Sequence, residues 1–135
     1  MPTSALDVYQ SVERGAATGR QLEAALLFKA ARQLDMVVRE WGAADRATKL
    51  REALYFNTQL WSVFHASMEE PDSALPIQLR VNILQLAFFI DRRTLEIFKA
   101  PTPDKLQPLI DINRRIATGL SVLIAPQQAV EQKIA

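Results

Sequence analysis

From Asp45 to Ser67 the chain repeats large apolar side chains every three or four residues. Leu50, Leu54, Trp61 and Phe64 trace one stripe, with Asn57 among them, and Ala53, Phe56, Leu60 and Val63 trace its neighbour. A strand turns its side chains to alternate faces at every second residue, so this spacing fits a helix and not a sheet. Two adjacent stripes make a wide apolar face, as expected of a helix that packs against two partners. Such a helix needs other helices to cover it.

The rest of the sequence supplies them. Ala5–Arg14, after Ser4 as N-cap and before Gly15, reads as a short first helix with a weak stripe. Gly19–Trp41 reads as a second: Thr18 and Gln21 match a capping box, Leu22, Leu26, Ala30, Leu34, Val37 or Val38 and Trp41 recur at helical spacing, and Gly42 is placed to terminate it. Asp45 is the N-cap candidate of the third. Pro76–Lys99 reads as a fourth, with Leu79, Ile83, Leu86, Ile90, Thr94 and Ile97 on one face and Val81, Leu84, Phe88 and Leu95 on another. A helix this apolar is central, or else one of its sides is a docking surface. The fifth covers Lys105–Ser121, with Pro108 in its first turn or at its true start, and Leu109, Ile112 or Asn113, Ile116 and Leu120 as its stripe. Most of the seven prolines fall between these segments. The expected fold is all-α: a single small bundle of about five helices over residues 1–121. Residues 122–135, which contain Pro126, form a flexible or weakly helical tail.

Composition narrows the function. The 16 basic and 15 acidic residues leave a net charge of +1, spread over both halves, whereas non-specific nucleic-acid binding needs clustered cations. Direct nucleic-acid binding is therefore not signalled. There is no cysteine, which removes disulfides and Cys-based zinc sites and fits a reducing compartment. The longest apolar run, Leu86–Ile90, is too short to span a bilayer, and Met1–Ala5 lacks the basic start of a signal peptide. The expectation is a cytoplasmic protein without membrane insertion.

Catalytic chemistry is sparse. His65 is the single histidine and offers neither a zinc motif nor a triad, so it reads as a partly exposed helical residue. Glu69, Glu70 and Asp72 form an acidic cluster where capping and the helix dipole favour acids. No phosphate loop or dinucleotide fingerprint is present. The chain reads as a non-enzyme with no cofactor and no metal. Asn57 and Asn113 are more informative, because each falls on an apolar stripe where an amide must be hydrogen-bonded. They either fix helix register or bond a bound peptide. Phe89 lies within a polar strip of its helix, which makes it a candidate interface anchor. The doublets Arg92–Arg93 and Arg114–Arg115 are solvated faces or contacts for an acidic partner.

Several linked strings resemble the FlaF family. Asn57-Thr58-Gln59-Leu60-Trp61-Ser62-Val63-Phe64 is similar to its N-x-x-LWS-x-F segment, and Ala74-Leu75-Pro76 to Leu79-Arg80 to its following turn. Asn82–Ile97 resembles its hydrophobic helix, with Phe89 where a tryptophan is common and Arg92-Arg93-Thr94-Leu95 where Arg-His-Thr-Ser is frequent. Leu109–Leu120 resembles its closing motif. The resemblance implies a role in flagellin synthesis and export, working against FlbT, a post-transcriptional repressor of flagellin. On that footing the leading expectation is a chaperone that binds flagellin by helix-in-groove docking between the third, fourth and fifth helices. Candidate contacts are Trp61, Phe64, Phe89, Arg92, Asn113 and Arg114. The alternative is a regulator that acts through FlbT or flagellin mRNA without binding flagellin.

Overall fold

The computed structural model describes residues 19–69 and 75–134, with side chains as far as residue 121. The expected first helix, Ala5–Arg14, lies outside the described residues, as do Thr18 of the capping box and Glu70 and Asp72 of the acidic cluster. Among the described residues there are four helices and no strand: α1 (Gly19–Arg39), α2 (Arg46–Glu69), α3 (Ile77–Lys99) and α4 (Pro103–Ile134).

Short connections turn the chain back at each step, giving an up–down–up–down bundle. α1 packs on α2 and α4, and α3 packs on the same two from the other side. α1 and α4 are the most closely apposed pair. The buried small residues Ala24, Ala30, Ala31 and Ala117 on these two helices leave room for such an approach. α3 is the least embraced helix.

The stripes read from the sequence form the core. Leu26, Ala30, Leu34 and Val37 of α1, and Leu50, Leu54, Trp61 and Phe64 of α2, are buried together with Ile83, Ile90 and Ile97 of α3 and Leu109 and Leu120 of α4. Trp61 and Phe64 meet edge to face, their centroids 5.4 Å apart.

Helix ends differ from expectation in instructive ways. α1 stops at Arg39, and a pair of turns (Ala43 N–H to Glu40 O, Arg46 N–H to Ala43 O) carries the chain to Asp45. No described residue has a positive φ, so Gly42 does not close the helix through a left-handed conformation. α4 begins at Pro103, where a proline loses nothing, so Pro108 falls in its second turn. The helical backbone then runs past Ser121 to Ile134.

Two contacts hold α3 at its ends. Arg80 Nε donates to the carbonyl of Met68 at 2.9 Å, satisfying a last-turn acceptor of α2. At the other end the Ala100 N–H closes on Glu96 O, and the three residues 100–102 lead directly into α4. Thr94, buried on the core side of α3, donates its hydroxyl to Ile90 O at 2.7 Å.

Candidate functional site

Two amides that the sequence placed on apolar stripes meet across the diagonal of the bundle. The Trp61 indole N–H donates to Asn113 Oδ1 at 2.8 Å, and Asn113 Nδ2 donates to Asn57 Oδ1 at 2.7 Å. Both asparagines are fully enclosed, and Trp61 is 2% exposed. α2 and α4 are thereby joined at one register through the centre of the core. Asn57 Nδ2 finds no partner among the described residues, so within them the chain of bonds ends on an unsatisfied donor.

This arrangement separates the expected contact residues. Trp61, Phe64 and Asn113 lie inside the bundle, their surfaces spent on one another and on the core, and present nothing to a ligand. Arg114 is on the outside of α4, 3.8 Å from Asp35 of α1, whose carboxylate also takes Arg39 at 2.8 Å. Phe89 and Arg92 are exposed on α3, and the Arg93 guanidinium lies 5.3 Å from the Phe89 ring centroid. The six residues therefore do not share one surface.

Trp61, Phe64 and Asn113, the expected walls of a furrow between α2, α3 and α4, are thus core residues. An open groove of about 800 Å³ lies instead between α1 and α2. Its apolar lining includes Met36, Val37, Ala53 and Phe56. Charges of both signs line it as well, with Lys29 over Phe56 at 5.1 Å and Lys49 3.9 Å from Glu52. That mixture marks no preferred ligand charge.

The clearer surface is the outer face of α3. Its core side is Ile83, Ala87, Ile90, Thr94 and Ile97. On the adjacent face, about 100° round the helix, Ile77, Val81, Phe88, Leu95 and Phe98 are 74, 40, 69, 62 and 55% exposed, and half-buried Leu84 continues the same line. With exposed Asp91 these residues are spaced alternately four and three apart, the a/d spacing of a heptad repeat. The exposed parts of the five add up to roughly 600 Å², the upper end for one apolar patch on a monomer.

The sequence periodicity sets Val81, Leu84, Phe88 and Leu95 on a separate face and points to Phe89 as the interface anchor. The structure puts Phe88 further into solvent than Phe89, which is 36% exposed and lies near Arg93. The seven-residue recurrence Val81–Phe88–Leu95 was the available signal. A second residue escaped the sequence: Glu23, buried near the start of α1, is held by Arg20 at 2.6 Å, and that guanidinium also reaches Ser67 of α2 at 3.5 Å.

Other chemistry is thin among the described residues. No three His, Asp or Glu side chains come together as a metal site, and no helix is long and apolar enough to cross a membrane. His65 is half-exposed and lies 3.4 Å from Glu69, one turn on.

No curated protein and no solved structure matches the chain. The family model described as flagellar protein FlaF matches residues 5–120, which takes in the Trp61–Asn113 network and the whole of α3. With most of its length matched, the chain belongs to the FlaF family.

Proposed function

We propose that this flagellar-family protein binds flagellin in the cytoplasm as a secretion chaperone or adaptor, and so promotes its synthesis and export. It does so by docking a helix rather than by catalysis. The observation that carries this reading is the uncovered apolar line on α3, a helix whose other face already completes the core. An amphipathic segment prone to premature assembly is sheltered when its apolar stripe is laid on such a face. Arg92 borders the line and contributes at its margin, whereas Phe89 lies with Arg93 in the polar strip beyond it and Arg114 on α4 belongs to a separate surface.

Calorimetric titration of the full chain with monomeric flagellin tests the reading. The expected result is a complex with a dissociation constant of about 1 μM or tighter, weakened at least about tenfold by Phe88→Asp. Absence of heat and of co-elution at about 50 μM overturns it. Binding of FlbT or flagellin mRNA, with flagellin ignored, would favour the regulatory alternative.

A further inference from the structure

We infer that the outer face of α3 is one half of a heterotypic coiled-coil contact. Its occupant is an amphipathic helix with acidic residues along one flank and a basic residue set against Asp91. This deepens the docking proposal and rests on its reading of α3 as the binding element.

The line Ile77, Val81, Leu84, Phe88, Asp91, Leu95, Phe98 fills successive a and d positions with one interruption. The two flanks differ. On one side the flanking positions are Arg80, Ala87 and Thr94; Ala87 and Thr94 are buried against the bundle and Arg80 is tied to Met68. That flank is closed. On the other side Gln78, Gln85, Arg92 and Lys99 are all exposed, with no acid among them. Glu96, the nearest carboxylate beyond this flank, takes Arg93 at 3.1 Å. The open flank is therefore cationic at its C-terminal half, and flanking charges of opposite sign select the partner of a coiled coil.

Asp91 excludes a second copy of this chain. Parallel self-pairing sets Asp91 against its own copy, two like charges in a drying seam. Antiparallel self-pairing with the greatest overlap sets it against Phe88, and a shift of one heptad either way sets it against Val81 or Leu95. Each leaves a carboxylate on an apolar side chain without a partner. A helix that supplies Lys or Arg at that level satisfies it and fixes the register.

The test uses the full chain and two synthetic helices of about four heptads, identical in their Leu/Ile seams and in one seam Lys. One carries Glu on its flanks and the other carries Lys. The expected result in low salt is that the Glu helix binds at least about tenfold tighter. The gap should narrow near 0.5 M salt, about where surface charges are screened. Arg92→Glu with Lys99→Glu should reverse the order, and Leu95→Glu should abolish both complexes with the circular dichroism unchanged. Equal affinity for the two helices overturns the proposal. So does failure of both while flagellin still binds, which leaves flagellin docking intact on another face. Flagellin failing while the Glu helix binds would instead sink the flagellin reading alone. A photo-cross-linker at position 88 that couples in the free chain to residues 1–18, or to a second copy, also overturns the proposal.

Discussion

Asn113 accepts from Trp61 and donates to Asn57, so truncating it strands two buried groups at once. Asn113→Ala should lower unfolding stability by about 2–4 kcal/mol in urea titration, from lost bonds and the cavity together. Replacing all three partners by apolar residues (Asn57→Leu, Trp61→Phe, Asn113→Leu) should recover much of that loss, because no donor is then left buried. A triple variant less stable than the single one would show that the network contributes more than register. Gly119 is an opposite case. It lies inside α4 without a positive φ, and an added Cβ would meet nothing within 4 Å. Gly119→Ala should raise stability by about 0.5–1 kcal/mol, through helix propensity alone. The sequence located both asparagines on core stripes, because an amide among apolar residues at helical spacing is visible in one dimension. It did not reveal the bond to Trp61, because the pairing spans 52 positions and depends on which helices face each other across the bundle. Glu23 carries no such signal in the sequence, because its burial beside Arg20, whose guanidinium reaches Ser67 of α2, comes from packing.

α3 shows how far an element can be read from its own periodicity. Both of its apolar faces were legible, yet which one is inside is decided by the neighbours. The face bearing Ile83, Ile90 and Ile97 won because α2 and α4 reach it. Substitutions on the two faces should behave differently. Ile97→Ala should cost about 2–4 kcal/mol in chemical denaturation, as a fully buried truncation. Leu95→Ser should stay within about 0.5 kcal/mol of the parent, and should reduce aggregation at high concentration. Equal losses at the two positions would mean that the outer face is covered in the isolated chain. The helix ends were read less well than the helices. Gly42 invited a left-handed stop that turns through Glu40 and Ala43 replace, and Pro103 rather than Pro108 opens α4.

At the scale of the molecule, the all-α class followed from the stripes and the proline breaks, but the order of helices around the core did not. Stripes say that a face is buried and not by which neighbour. The bundle leans on apolar packing more than on charge. The ion pairs Arg39–Asp35, Lys49–Glu52 and Arg93–Glu96 each include an exposed side chain and lie within single helices. Their summed effect is small and screened. Raising salt from low concentration to about 0.5 M should therefore move the unfolding free energy by less than about 1 kcal/mol. A larger change would point to Arg20 and Glu23, where one partner is enclosed. The fastening of α3 at both ends bears on kinetics. Held at Met68 by Arg80 and at Ala100 by the tight link into α4, it stands as a finished rail about 35 Å long. The entropic burden of ordering then falls on the incoming segment alone. Helix-promoting substitutions in that segment should speed complex formation, while an equivalent change on α3 away from the docking line, such as Asn82→Ala, should leave the association rate untouched.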